Sequence, residues 1–138
     1  MENNFSIIIS TCDKFSDLWD AHVLLLNQNW ADRNVETFLV TDKPTDRTFE
    51  NVTVVAAGEG TEITERLRAV MPLIKTEYVI FTLDDYFLTE RISTQAVKED
   101  IQIMEKHKID YLRPVSDTHL RAHETLRKLV CRLRLQKR

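Results

Sequence analysis

Two adjacent aspartates, Asp84 and Asp85, interrupt the apolar stretch EYVIFTLDDYFL between Glu77 and Leu88. A carboxylate at the end of a buried strand loses hydration and needs a cation, a hydrogen-bond donor or a ligand in compensation. Paired carboxylates can hold Mg²⁺ or Mn²⁺, which prefer oxygen ligands and keep coordination positions open for substrate phosphates. The sequence therefore predicts a divalent-metal site here. The competing interpretation is that one aspartate caps a turn while the other is solvated.

Further polar residues follow apolar, β-rich runs that predict strands. These runs are FSIIIS, ETFLVTDK, NVTVVAAGEG and EYVIFTL, and IDYLRPV predicts a fifth strand. The polar residues at the strand ends are Thr11, Cys12, Asp13, Asp42, Gly58 to Thr61, Asp84 and Asp85. In open parallel sheets, ligands bind outside the carboxyl ends of the strands, where loops diverge and helix N-termini present free N–H groups. We therefore expect these loops to converge on one site.

Between the strands, apolar residues recur with the 3.6-residue period of helices. The first set is Leu18, His22, Leu25 and Leu26, the second is Ile63, Leu67, Val70, Met71 and Ile74, and the third is Val97, Ile101 and Met104. We expect Thr61 to cap the second helix and Pro72 to kink its last turn, and the third helix to run from about Ser93 to Lys108. The order β-α-β-β-α-β-α-β predicts an open, mostly parallel α/β sheet with helices on both faces.

The loop GEGTEITERLRAV contains the chain's two glycines, Gly58 and Gly60, between a strand and a helix. It matches two thirds of the dinucleotide-binding pattern GxGxxG, but Ile63 occupies the third glycine position and the loop follows the third strand rather than the first. Its backbone amides, together with Arg66 or Arg68, still suit a diphosphate. The alternative for these arginines is a solvated helix face.

The composition of the 138-residue chain, with 43% hydrophobic and 30% charged residues, predicts one soluble globular domain. No apolar run approaches the roughly 20 residues that span a bilayer, and the first ten residues lack the lysines of a secretory signal, so a cytoplasmic location is expected. Cys12 and Cys131 match no metal-ligand spacing, and we expect two free thiols. Trp19 and Trp30 are expected in the core.

Charge is unevenly distributed along the chain. Residues 1–118 hold 12 Lys and Arg against 21 Asp and Glu, whereas residues 119–138 hold 7 against 1. Over residues 116–138, a helix would place Leu126, Leu129, Val130 and Leu133 on one face among Arg127, Lys128, Arg132 and Arg134. Such a basic amphipathic helix suits anionic lipid headgroups or a partner protein, and the alternative is a helix packed on the domain. The acidic body argues against nucleic acid as a partner.

Four segments, taken in order, resemble the first half of a GT-A-type glycosyltransferase, of the family 2-like kind found in bacterial surface polysaccharide assembly. They are FSIIISTCDKFSDLWD, TFLVTDK, TERLRAVMPLIKTEYVIFTLDDYFL and DYLRP, within residues 5–115. The most specific part is the arginine-bearing helix followed by EYVIFTLDDYF, which is similar to that group's variant of the metal-binding DxD motif. The resemblance implies a GT-A or Rossmann-like nucleotide-sugar-binding domain over residues 1–115. By matching position, it implies that Asp85 binds the metal and that Asp84 contacts ribose or metal. It also implies that Asp42 lies near the base and that Arg66 reaches toward base or phosphate. Thr11 and Asp13 would line the nucleotide pocket.

The activity implied by this resemblance is metal-assisted transfer of a sugar from a nucleotide-diphosphate donor to a polysaccharide or lipid-linked acceptor, at the cytoplasmic face of the membrane. The chain departs from the family because the acceptor half and the catalytic base have no visible counterpart. Asp117 and Glu124 are the only acids after DYLRP, and either could serve as the base. The alternative is a non-catalytic nucleotide-sugar-binding module that docks on a membrane or a partner chain. A receiver-like regulatory domain is disfavoured, because its acidic pair follows the first strand rather than the fourth.

Overall fold

The described part of the chain comprises residues 4–108, 111–112 and 131–134 of a computed structural model. Its strands and helices, in chain order, are β1 (Phe5–Ser10), α1 (Trp19–Asn29), β2 (Thr37–Thr41), β3 (Thr53–Ala56), α2 (Ile63–Val70), β4 (Tyr78–Leu83), α3 (Thr94–His107), β5 (Tyr111–Leu112) and β6 (Cys131–Arg134). Two 3₁₀ segments, Asp13–Leu18 and Met71–Leu73, precede α1 and follow α2. The predicted order of strands and helices is confirmed as far as β5.

The strands form one sheet in the order β3-β2-β1-β4-β6-β5. β1 lies between β2 and β4 and is parallel to both, so that Ile7 stands opposite Thr37 on one side and Ile80 on the other. β3 is parallel to β2, whereas β6 runs antiparallel to both β4 and β5. The predicted open and mostly parallel sheet is confirmed, with β6 as its antiparallel member.

The hydrophobic core is divided between the two faces of this sheet. Ile7 and Ile9 of β1 pack on the face covered by α1 and α3, in a cluster with Leu26, Trp30, Val97, Ile101 and Met104. Ile8, which lies between them in sequence, packs on the opposite face with Val70 of α2. Successive side chains of a strand point to opposite faces, so the continuous apolar run Ile7–Ile9 of β1 needs cover on both sides. The prediction of helices on both faces is therefore confirmed.

The ends of α2 follow local side-chain chemistry. Glu62 is its N-cap, and its side chain and that of Glu65 bond each other's backbone N–H groups in a capping box. The prediction that Thr61 caps this helix is therefore wrong, since the Thr61 hydroxyl instead donates to the carbonyl of Gly58 at 2.7 Å. The α-helix ends at Val70 and continues as a 3₁₀ turn that contains Pro72, as expected for a residue without a backbone N–H.

The prediction of a basic amphipathic helix near the C-terminus is wrong for residues Cys131–Arg134, which form strand β6. In this stretch, CRLR alternates in the two-residue period of a strand, and pairing with β4 satisfies backbone groups that a helix would leave unpaired at the sheet edge. The rest of the predicted helix, with Asp117 and Glu124, lies outside the described residues. No helix in the described ranges is long and apolar enough to cross a membrane.

Candidate functional site

A cleft of about 340 Å³ opens at the carboxyl ends of β1 and β4. Its lining comes from the ends of these strands, the 3₁₀ segment before α1, and α2; the residues are Ser10, Thr11, Cys12, Phe15, Leu18, Ile63, Arg66, Leu83, Asp84 and Asp85. Four of the six residues predicted for the site therefore meet here: Thr11, Arg66, Asp84 and Asp85. The other two, Asp13 and Asp42, are not part of this lining.

The sheet topology places the cleft where the chain reverses direction across the sheet. From β1 the chain passes through α1 to β2 on one side, whereas β4 occupies the other side of β1. Loops leaving such neighbouring strands diverge and leave a crevice, which is where open α/β sheets bind ligands. The position of the cleft thus follows from the strand order.

The Asp84 carboxylate is held by a chain of side-chain hydrogen bonds. The hydroxyl of Thr11 donates to Asp84 Oδ2 at 2.7 Å, and the indole Nε1 of Trp19 donates to Thr11 Oγ1 at 2.8 Å. Thr11 and Trp19 are both buried, and Asp84 is half-buried. The donor that compensates one of the two aspartates is therefore the side chain of Thr11.

Asp84 and Asp85 form the acidic wall of the cleft, with Asp85 exposed. Among the residues that the structure describes, no group of three or more His, Cys, Asp or Glu is arranged to hold a metal ion. A two-carboxylate wall fits Mg²⁺ or Mn²⁺ only in the mode where water and substrate phosphates complete the coordination shell. Metal binding at this pair stays a prediction.

Asp42 organises the loops beside the cleft. Its Oδ1 accepts hydrogen bonds from the backbone N–H groups of Asp13 and Lys43, each at 2.8 Å, and from the Thr41 hydroxyl at 3.3 Å. Partial burial on its own would raise the pKa of the Asp42 carboxyl, but these donors outweigh it and hold the pKa below the usual 3.8. Asp42 therefore ties the loop after β1 to the loop after β2; a contact with a base stays a prediction.

Two polar groups in the lining have no partner among the described residues. Ser10 Oγ is buried and makes no hydrogen bond, and Arg66 Nε is buried and unpaired although another nitrogen of the same guanidinium donates to the Thr61 carbonyl. Buried polar groups are normally paired, so unpaired ones facing a cleft indicate positions where a ligand supplies the partner. Ser10 offers a donor and an acceptor, and Arg66 offers a donor.

His22 lies behind the cleft, on α1. Its Nε2 is 3.1 Å from the carbonyl oxygen of Leu83, and because a carbonyl only accepts, Nε2 carries the proton. Nδ1 is buried with no partner in the described part of the chain. Burial lowers the pKa of His22 below its usual 6.5, against the smaller opposing effects of the Leu83 carbonyl and the charges of Asp84 and Asp85. At neutral pH the lowered pKa favours the uncharged imidazole, which anchors the main chain directly before the aspartate pair.

Sequence reasoning missed the roles of several residues that line the cleft or lie behind it. It assigned Ser10 to a strand, Trp19 to the core, and His22 and Ile63 to the apolar faces of helices. It gave Phe15 no role. Phe15 and Ile63 are 43% and 45% exposed at the mouth of the cleft, a signal that requires the fold. By contrast, the two glycines adopt φ angles of 124° and 77°, so the turn itself accounts for their presence without a dinucleotide.

Comparisons with known proteins support the fold. No protein-family model matches the chain, and no curated protein matches it. The chain is similar to a structure of the bifunctional IspDF from Campylobacter jejuni, with a TM-score of 0.55 and 16% identity, over 96% of this chain and 41% of that one. A provisionally named nucleotide-diphospho-sugar transferase from Desulfovibrio desulfuricans G20 gives a TM-score of 0.47 and 11% identity, over 75% of this chain and 55% of that one. The chain thus spans less than half of the IspDF chain, and the likeness to it is one of fold.

Proposed function

We propose that this chain is the nucleotide-binding half of a transferase that uses a nucleotide-diphosphate sugar, with Mg²⁺ or Mn²⁺ bound at Asp84 and Asp85. The observation that carries the proposal is the convergence of this carboxylate pair with the unpaired Nε of Arg66 and the unpaired hydroxyl of Ser10 in one cleft. A carboxylate pair alone repels a diphosphate. The pair can therefore contribute to diphosphate binding only if a cation lies between the carboxylates and the phosphates. The sugar and its acceptor, a polysaccharide or a lipid-linked chain, come from the resemblance in the sequence.

The residues of the cleft divide the work of holding such a donor. Arg66 would donate to a phosphate or base oxygen, which guanidinium groups bind with strong directional hydrogen bonds. Phe15 and Ile63 offer apolar surface at the mouth to a flat ring. A divalent cation, when bound, supplies positive charge for the diphosphate that leaves when the sugar–phosphate bond breaks.

The test is calorimetric titration with UDP, GDP and CDP, each with and without Mn²⁺. We expect at least one of the three to bind, and to bind more tightly with Mn²⁺. Asp85→Asn should weaken the Mn²⁺-dependent part of the affinity by about tenfold or more. The matched control is Asp46→Asn, which neutralises an exposed carboxylate outside the cleft lining. The proposal is rejected if the unaltered chain binds none of the three nucleotides.

One observation favours a second candidate, a binding module without transfer activity. Within the described residues, Asp84 and Asp85 are the only carboxylates in the cleft lining, and both are assigned to the metal. A base that takes the acceptor's proton would have to be a further group. Release of sugar from nucleotide-sugar donors by the isolated chain, lost in Asp85→Asn, would favour the transferase. Metal-dependent nucleotide binding without any release would favour the module.

A further inference from the structure

A hydrogen-bonded chain leads from the first residue of α1 to the acidic wall of the cleft. The indole of Trp19 donates to Thr11 Oγ1 at 2.8 Å, and the Thr11 hydroxyl donates to Asp84 Oδ2 at 2.7 Å. Trp19 is 1% exposed and Thr11 is 3% exposed. Because Trp19 and Thr11 are shielded from solvent, water cannot replace either hydrogen bond, and losing one would leave a buried polar group unpaired.

The direction of this chain follows from chemistry alone. An indole N–H can only donate, so the oxygen of Thr11 must accept from Trp19. The single hydroxyl proton of Thr11 is then available for Asp84, and the competing acceptor, the Cys12 carbonyl, is farther away at 3.4 Å. Asp84 Oδ2 is thereby committed to Thr11, which fixes how the carboxylate is turned and leaves its other lone pairs for a ligand.

Trp19 is itself fixed in place from its other side. The guanidinium carbon of Arg47 lies 5.0 Å from the Trp19 ring centre and 5.3 Å from that of Phe49, within cation–π range of both rings, which meet edge to face. Arg47 also donates to the Ser16 carbonyl at 2.8 Å and pairs with Asp20 at 3.0 Å. Because Arg47 is itself held by Ser16 and Asp20, the indole cannot rotate away from Thr11 without losing its contact with this guanidinium.

A second ring on the same helix face holds the same segment through its main chain. His22, three residues after Trp19, donates from Nε2 to the carbonyl of Leu83, the residue before Asp84. Residues three apart on a helix share one face, so the first turn of α1 presents two ring N–H donors on one side, one to Thr11 after β1 and one to Leu83 at the end of β4. His22 holds the backbone carbonyl before Asp84, and Trp19 acts on the Asp84 side chain through Thr11.

We propose that Trp19 is a positioning residue of the metal site, acting through Thr11 to orient the Asp84 carboxylate for a divalent cation. This inference rests on the proposed function and assigns Thr11 to Asp84 rather than to the nucleotide. Hydrogen-bond partners behind a metal ligand typically change metal affinity by about 10- to 100-fold when they are removed. Neither Trp19 nor Thr11 needs to touch the cation for this effect.

The test measures Mn²⁺ affinity directly, from the electron paramagnetic resonance signal of free Mn²⁺, in the presence and absence of UDP. Thr11→Val removes the hydroxyl at nearly constant volume, and Thr11→Ser keeps it. Trp19→Phe removes the indole N–H, and Trp30→Phe is its matched control. Trp30 is also buried, lies at the opposite end of α1 and outside the cleft lining, and donates to Thr94 Oγ1. We expect Thr11→Val and Trp19→Phe to weaken Mn²⁺ binding about tenfold, and Thr11→Ser and Trp30→Phe to bind as the unaltered chain does.

Indole N–H resonances supply a readout that needs no metal. The chain has two tryptophans, so Trp30 is the internal reference for Trp19. Thr11→Val should move the Trp19 indole resonance and leave that of Trp30 in place, since only Trp19 loses its acceptor. Mg²⁺ with UDP should likewise move only the Trp19 resonance.

The outcomes separate this inference from the proposed function. If the unaltered chain binds Mn²⁺ and the Thr11→Val and Trp19→Phe variants bind it equally well, Trp19 is not a positioning residue, while the proposed function stands. If the Trp19 indole resonance does not shift in Thr11→Val, the hydrogen bond between Trp19 and Thr11 is refuted. If the unaltered chain binds no Mn²⁺ with or without UDP, the proposed function fails and the metal role of Trp19 fails with it.

Discussion

At the scale of single residues, the polar groups around the cleft fall into two sets. Thr11 and Asp42 make hydrogen bonds that hold loops and a carboxylate in place. Ser10 and Arg66 keep buried atoms without partners in the described part of the chain. A satisfied group stabilises the fold, whereas an unsatisfied buried group costs free energy that a ligand can recover. The two sets therefore separate residues that build the site from residues that face a ligand.

Asp42 should make stability depend on acid pH. Its pKa is held below the usual 3.8, so its contribution is present at neutral pH and is lost as the pH falls through the lowered folded-state value. Asp42→Asn keeps an acceptor oxygen but loses the charge, and should destabilise the chain by about 1 kcal/mol at pH 7. Urea unfolding at pH 7 and pH 3 measures this difference, which should shrink in acid. Asp46→Asn, an exposed change in the same loop, is the control, and an equal loss in both variants would contradict the prediction.

His22 should make stability depend on pH in a higher range. Burial holds the folded-state pKa of His22 below 6.5, so stability is fully present above pH 6.5 and falls as the pH drops from there toward the folded-state value. His22→Gln keeps an N–H donor for the Leu83 carbonyl and cannot titrate. Urea midpoints at pH 7.5 and 5.5 should differ less for this variant than for the unaltered chain. His107→Gln removes an exposed histidine and should leave the difference unchanged.

At the scale of elements, α3 shows how local chemistry starts and stops a helix. Ser93 caps its N-terminus by accepting a hydrogen bond from the Ala96 N–H at 3.2 Å. At the other end, Lys108 adopts the left-handed conformation, with φ 55° and ψ 43°, and its N–H returns to the carbonyls of Met104 and Glu105. The stop conformation is thus imposed on a residue whose Cβ disfavours it.

Replacing the strained residue should therefore stabilise the chain. Lys108→Gly relieves the left-handed strain, and we expect a gain of about 0.5 to 1 kcal/mol in the free energy of unfolding. The matched control is Lys106→Gly, two residues earlier inside the exposed last turn of α3, which should cost about 1 kcal/mol. Urea unfolding of both variants measures the two values. A loss in Lys108→Gly as large as that in Lys106→Gly would refute the strain argument.

At the scale of the whole molecule, the sheet separates two hydrophobic layers and carries the cleft at the carboxyl ends of its interior strands β1 and β4. Leu39 of β2 is fully buried with Trp19 and Val23, so the packing of the sheet on α1 also supports the helix turn that holds Thr11 and Asp84. Core packing and site geometry are therefore coupled through Trp19.

Truncation of a side chain in this core should lower the free energy of unfolding of the whole chain. Leu39→Ala should lower the free energy of unfolding by about 2 to 5 kcal/mol, because it leaves a cavity under α1. Leu24 lies on α1 and is 56% exposed, so Leu24→Ala should change the free energy of unfolding by no more than about 0.5 kcal/mol. Thermal unfolding of the two variants gives the comparison. Similar midpoints would mean that Leu39 is not in a close-packed core.

The amino-acid sequence by itself determined the order of strands and helices, their two-sided burial and the polar character of the strand ends. Each of these depends on neighbours within a few positions, such as the apolar run of β1, the helical spacing of Val97, Ile101 and Met104, and the start of the third helix near Ser93. Residue periodicity records such short-range requirements directly. The aspartate pair was found in the same way, because two charges break an apolar run.

Only the tertiary structure decided which strand ends share a cleft and which residues hold them there. Thr11 and Asp84 are 73 positions apart in the sequence. No local pattern indicates that Trp19 donates a hydrogen bond to Thr11 or that Thr11 in turn donates to Asp84. The strand at Cys131–Arg134 likewise depends on a distant partner. Its sequence is compatible with a basic helix or a strand, and backbone pairing with β4 is what the fold adds. Strand pairing and side-chain hydrogen bonds across the fold depend on distant partners, and a sequence pattern does not encode those distances.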